Sequence, residues 1–157
     1  SVPVGFLGQP GRTRMPTGVS GIKWFPDSRR VAFISWVWPD AVGYKALEAR
    51  CKEQKDSKVK AHVVEHETYR FWDHWLSDGR VPRLFVVDVR TQRITDLFAG
   101  TPYELPRADP AAHHYDISPD GREIAFTFDP HEEKRFDHEY HIVAAPMGRK
   151  CRMRSTH

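Results

Sequence analysis

The nine histidines of this chain fall partly into clusters with carboxylates. His62, Glu65, His66 and Glu67 form one, His131, Glu132 and Glu133 a second, and His138, Glu139 and His141 a third. Imidazole and carboxylate groups are ligands for divalent metals, so such clusters raise metal-assisted hydrolysis as a chemistry. The spacing argues against it. The first cluster is not H-E-x-x-H, because Arg70 stands where the second histidine is needed. The segment also reads as a strand, in which residues i and i+4 lie about 13 Å apart and cannot share an ion. The histidines are therefore expected to be solvated strand or loop residues, with no metal and no cofactor.

Nucleophilic catalysis fares no better. The eight serines are Ser1, Ser20, Ser28, Ser35, Ser57, Ser77, Ser118 and Ser155, and none sits in a G-x-S-x-G elbow. Gly18-Val-Ser-Gly-Ile22 fails at its last position, and Ser77 has Trp75 where glycine is required. No catalytic residue is expected. Asp27 and Asp120 follow prolines in turn sequences, where an aspartate bonds its own backbone rather than a substrate. Arg70, Trp72 and Trp75, with His74 among them, form an aromatic and cationic group suited to holding a ligand. These three are the substrate-binding candidates, set against burial on a helix or a neighbouring domain. Cys51 reads as a buried thiol, Cys151 lies in a basic tail, and a bridge between them stays open.

What would position these groups is an internal repeat. Gly21-Ile-Lys-Trp-Phe-Pro-Asp-Ser-Arg-Arg-Val-Ala-Phe33 aligns with His114-Tyr-Asp-Ile-Ser-Pro-Asp-Gly-Arg-Glu-Ile-Ala-Phe126. Pro26 meets Pro119, Asp27 meets Asp120, Ser28 meets Gly121 and Phe33 meets Phe126, at an offset of 93 residues. In each copy an apolar strand enters a Pro-Asp turn. Proline sets φ, Asp27 and Asp120 bond the backbone, and Gly121 tolerates φ > 0. A second strand leaves as Val31-Ala-Phe-Ile34 or Ile124-Ala-Phe-Thr-Phe128. Leu84-Phe-Val-Val-Asp88, a short polar turn and Ile94-Thr-Asp-Leu-Phe98 supply two more strands to the first copy.

The order strand, Pro-Asp turn, strand, strand, turn, strand is that of a four-stranded propeller blade. Tyr140-His-Ile-Val-Ala-Ala-Pro146 would be the third strand of the second copy, and no convincing fourth follows, so that blade is expected to be incomplete. An offset of 93 residues exceeds the roughly 40–50 of one blade, so an insertion at about 39–81 is expected. Residues 41–58 predict a helix, with Asp40 as cap. Tyr44, Leu47 and Cys51 share one face, and Glu48 precedes Lys52 by four residues. Lys60 to Glu67 predicts a strand.

The fold class is thus expected to be all-β, a partial β-propeller of two to three four-stranded antiparallel blades with one helical insertion. Residues 1–20 form a Pro/Gly-rich lead-in, 21–100 a blade carrying the insertion, 101–147 an incomplete blade and 148–157 a basic tail.

Composition bounds the remaining readings. The 157 residues suffice for one ordinary domain. Five Trp, nine Phe and five Tyr argue against wholesale disorder. Two cysteines make no disulfide scaffold. No apolar run approaches the ~18 residues of a membrane span, so no membrane partner is expected. Net charge is +3, and Arg149, Lys150, Arg152 and Arg154 in the tail account for it. Without a basic helix or a recognisable nucleic-acid module, no nucleic-acid partner is expected. The first residue is Ser1, and 1–20 lacks the apolar core of a signal peptide. With the repeat, this reads as a piece of a longer chain.

These segments resemble the N-terminal β-propeller of prolyl-oligopeptidase-family serine peptidases, in the acylaminoacyl-peptidase and dipeptidyl-peptidase-like branches. The carriers are Trp24-Phe-Pro-Asp-Ser-Arg-Arg-Val-Ala-Phe33, Tyr69-Arg-Phe-Trp-Asp-His-Trp75, Arg83-Leu-Phe-Val-Val-Asp-Val89 and Asp116-Ile-Ser-Pro-Asp-Gly-Arg-Glu-Ile-Ala-Phe126, and they span about 19–147. The resemblance implies a propeller that restricts access of short peptides to a C-terminal α/β-hydrolase domain absent from this chain. The partners it implies are that hydrolase domain and short peptides, in cytoplasm or periplasm. The Ser-Pro-Asp-Gly unit also marks TolB-like propellers, so a TolB/WD40-like module for protein binding is the alternative. A free-standing metal-dependent enzyme is the weakest reading.

Overall fold

Apolar runs of five to eight residues, punctuated by Pro, Gly and Asp, leave room for strands and little else. A computed structural model describes residues 15–41, 43–56, 70–71, 74–75, 79–107, 109–130, 140–147 and 154–155. Its strands are β1 (Ser20–Trp24), β2 (Arg30–Val37), β3 (Arg70–Phe71), β4 (His74–Trp75), β5 (Val81–Asp88), β6 (Ile94–Asp96), β7 (Tyr115–Ile117), β8 (Glu123–Phe128), β9 (His141–Pro146) and β10 (Arg154–Ser155). Among the described residues one α-helix, α1 (Tyr44–Asp56), lies between β2 and β3, and a short 3₁₀ turn, Ala112–His114, precedes β7. No helix among the described residues is long and apolar enough to cross a membrane.

The strands make two four-stranded antiparallel sheets, ordered β1-β2-β5-β6 and β10-β9-β8-β7, and a two-stranded ribbon β3-β4. In the first sheet β2 and β5 are neighbours in unbroken register from Arg30↔Asp88 to Val37↔Val81. Everything between them in sequence, residues 38–80, is therefore an excursion from two adjacent strands. The second sheet follows chain order throughout. Its fourth strand is the two-residue β10, paired Arg154↔Ala144 and Ser155↔Val143, in the basic ending where the sequence offers no strand pattern.

Period-two alternation sends the two faces of the first sheet into different cores. Ala32, Ile34, Leu84 and Val86 join Phe25, Phe98 and Leu105 and meet Tyr115, Ile124, Phe126, Val143 and Ala145 of the second sheet. The sheets thus stack face to face over one apolar layer, in which Phe98 tilts against Phe126 with ring centroids 4.6 Å apart. On the opposite face Val31, Phe33, Phe85 and Val87 pack with Met15, Trp38 and Leu47 of α1.

α1 starts three residues later than its sequence predicts, and residues 57 and 58 of the expected helix lie outside the described residues. The Leu47 amide donates to the Gly43 carbonyl at 3.2 Å, so the helix begins after Gly43, whose φ of +89° only glycine adopts readily. Asp40 lies too far back to cap it, and instead accepts from Arg50 Nη1 at 3.0 Å. Of the three predicted face residues, Leu47 is buried, Cys51 half-buried and Tyr44 exposed. The predicted strand at Lys60 to Glu67 lies outside the described residues.

Candidate functional site

The two Pro-Asp turns share the same backbone bonds. In the first, the Phe25 amide donates to Arg30 O and the Ser28 amide to Phe25 O, at 2.9 and 3.1 Å. In the second, the Ser118 amide donates to Glu123 O and the Gly121 amide to Ser118 O, at 3.0 and 2.8 Å. Ser28 and Gly121 both take positive φ, +53° and +66°. Asp27 Oδ1 accepts from the Arg29 and Arg30 amides, and Asp120 Oδ1 from the Arg122 amide and the Ser118 hydroxyl. Pro26 and Pro119 are exposed at the turn tips. Where the first copy sends Phe25 into the core, the second has Ser118, whose Oγ accepts from the Arg122 and Glu123 amides.

These bonds set the charge state of both aspartates. For Asp27, partial desolvation favours the neutral acid, but the Arg29 amide and the side chain and amide of Arg30 outweigh it, and the carboxyl stays below the usual carboxylate range. For Asp120 the Ser118 hydroxyl, then the Arg122 amide, has the same effect. A carboxylate held ionised and saturated by its own turn is a poor general acid or base at neutral pH.

The turns are also brought together. Arg30 donates through Nε to Asp27 Oδ2 at 2.7 Å and through Nη2 to the Gly121 carbonyl at 2.9 Å, with its guanidinium 4.2 Å from the Phe25 ring centroid. Next to it, Lys23 Nζ donates to the Tyr115 carbonyl and to Asp116 Oδ1. The Tyr115 hydroxyl donates to the Gly21 carbonyl, with the Ala32 carbonyl 3.2 Å away. Lys23, Arg30 and Tyr115 therefore bolt one sheet to the other. Sequence reading missed all three. A signal was present, because in the repeat Lys23 aligns with Asp116 and Arg30 with Glu123, opposite charges at equivalent places.

The recognition candidates lie on the excursion. β3 and β4 set Arg70 opposite Trp75 and Phe71 opposite His74, so the backbone brings two of the three candidates into one pair. Trp72 lies outside the described residues. At the root of the excursion, the buried Trp38 ring has Arg50 and Arg80 guanidinium carbons 5.7 and 5.6 Å from its centroid. This tryptophan anchors α1 to the sheet and presents no open face for a ligand.

A polar cluster lies on the same sheet face. Ser35 is buried and donates to the Gly18 carbonyl at 2.7 Å, with Thr17 Oγ1 2.8 Å away. Its cross-strand neighbour Arg83 pairs with Asp96 at 3.0 Å, while Arg83 Nε is buried without a hydrogen-bond partner. Among the described residues no group of three or more His, Cys, Asp or Glu is placed to hold a metal ion. No family model matches the chain, and no curated protein matches it either.

Proposed function

We propose that this chain is a non-catalytic part of a β-propeller of the prolyl-oligopeptidase type, which gates the passage of short peptides to a serine hydrolase domain. The observation that carries the reading is the pair of four-stranded antiparallel sheets, stacked face to face and carrying the same Pro-Asp turn 93 residues apart. Radially stacked four-stranded meanders are the unit of a propeller. The excursion between β2 and β5, with Arg70 and Trp75 paired on its ribbon, is where such a unit would carry a peptide-selecting loop. The Pro-Asp carboxylates are consumed by their own turns, which agrees with chemistry residing in another domain.

The purified chain should be inert toward short chromogenic peptides and unlabelled by a serine-reactive phosphonate; labelling would overturn the non-catalytic assignment. The coding sequence beyond His157, read in all three frames, tests the parent. An α/β-hydrolase pattern with a G-x-S-x-G elbow supports gating. A propeller that closes with no hydrolase favours a TolB/WD40-like protein-binding module and overturns it.

A further inference from the structure

The 3₁₀ turn before β7 carries two imidazoles at the seam between the sheets. The rings of His113 and His114 lie with centroids 4.1 Å apart, the first exposed and the second half-buried. The turn packs on β1 and on β7. It comes so close to β1 that a Cβ built on Gly21 would lie 3.1 Å from the Ala112 amide nitrogen. One residue further on, the Tyr115 hydroxyl donates to the Gly21 carbonyl. The turn and the strand it leads into are thus one side of a joint, and β1 at Gly21 is the other. In the first copy of the repeat, Ser20 and Gly21 stand where the second has His113 and His114, so the pair has no titratable counterpart there.

Both ring nitrogens of His114 are engaged, and their partners fix what each can do. Nε2 lies 3.0 Å from the Asp109 carbonyl, which only accepts, so Nε2 carries a hydrogen in either charge state. Nδ1 lies 3.1 Å from Thr127 Oγ1, and the same oxygen lies 3.3 Å from the His114 carbonyl. In the neutral ring the Thr127 hydroxyl donates to Nδ1. In the cation Nδ1–H donates to Oγ1, and the hydroxyl hydrogen turns to the His114 carbonyl. Hydrogen bonding therefore accommodates both states. Burial opposes the cation first, and charge on His113 second. Together they hold the His114 pKa below the ordinary 6.5, against the weaker pull of the Asp109 carbonyl and carboxylate. The other charges at the joint offset each other, since Lys23 of β1 bonds the Tyr115 carbonyl and pairs with Asp116 of β7. From β8 the ring meets Thr127, which is uncharged.

We propose that His113 and His114 form a pH-sensitive catch, which holds the 3₁₀ turn and β7 on β1 while His114 is neutral and loosens that joint when both imidazoles are charged. With His113 charged, a second proton must enter beside it, so the two titrate as a coupled pair. Once the joint opens, His114 is hydrated and takes the proton more readily. The stability that neutral His114 contributes is therefore full above about 6.5, and is lost as pH falls toward the lower folded value. The catch belongs to the seam itself and stands apart from any peptidase role.

Amide exchange of the full chain, corrected for intrinsic rates and compared at about pH 7.5 and about pH 5.5, tests it. Protection at β1 should fall by about threefold or more at the lower pH, while the β2–β5 pairing keeps its protection. The chain has nine histidines, so two variants assign the effect. His114→Gln keeps a donor for the Asp109 carbonyl and cannot charge, and should abolish the fall. His113→Gln changes an exposed ring, and should shrink the fall and move the His114 imidazole titration, read from its proton resonances, to higher pH. Protection at β1 that is the same at both pH values would overturn the proposal. So would a fall that either variant leaves intact.

Discussion

Asp27 and Asp120 occupy the same place in two copies of one turn, yet they share their load differently. Asp27 alone serves two amides and a guanidinium, whereas Asp120 has Ser118 beside it to take two amides. Asp27→Ala should therefore destabilise the fold by about 1 kcal/mol after allowing for its partial exposure, read as a lowered midpoint in urea. Ser118 should buffer the loss at Asp120→Ala, which is expected to lower the midpoint less. Both carboxyls have folded pKa values below their unfolded one of 3.8. The unfolded chain therefore binds protons first as pH falls. Their contribution is full above the unfolded value and disappears as pH drops through the lower, folded value. The melting temperature of the wild type should fall below about pH 4, and Asp27→Asn should flatten that slope by lowering the neutral-pH midpoint while leaving the acid midpoint nearly unchanged.

Among the elements, β7 does more than its three residues suggest. Tyr115 packs in the inter-sheet core while its hydroxyl reaches carbonyls of β1 and β2. Burial comes first among the influences that push its phenol pKa up, so it stays a neutral donor. Tyr115→Phe keeps the ring and removes the bond, and should cost about 1–2 kcal/mol, with faster amide exchange at β1 as the local readout. Much of this level was legible in the residues. The Pro-Asp turns, the strands around them and the helix follow from local chemistry, since φ preferences, Asx bonding and i, i+3, i+7 spacing act within one element. Whatever depends on a second element was not legible. Trp24 aligns with Ile117 and matches it in hydrophobicity, but Trp24 is 51% exposed and Ile117 packs against the core. The difference lies in what covers each strand. The helix start shifted for a similar reason. Asp40 has a guanidinium partner in Arg50 that no local rule announces, and Gly43 supplies the positive φ at which the chain turns into α1. Of the recognition trio, the backbone pairs Arg70 with Trp75, and this ribbon is too short for period-two patterning to reveal it.

The molecule as a whole is two sheets over one shared apolar layer, so neither is expected to melt alone. Unfolding followed by near-ultraviolet and far-ultraviolet circular dichroism should give coincident transitions. Phe126→Ala, which opens the layer between Phe98 and Tyr103, should lower both together by about 3–5 kcal/mol. Separate transitions for the two probes would show that the sheets hold themselves up independently. The unbroken pairing of β2 with β5 across residues 38–80 has a kinetic consequence. The second sheet needs only the chain between Phe128 and His141 to bring its central strands together, whereas the first must gather the whole excursion beforehand. The logarithmic closure cost differs by roughly 1 kcal/mol in entropy alone. The C-terminal hairpins are therefore expected to pair before β2 meets β5, and mutations in β8 and β9 should slow refolding more than mutations at the β2–β5 seam. A protease that nicks the excursion after folding would leave β2 and β5 zipped, and one that cuts it during synthesis would leave them strangers.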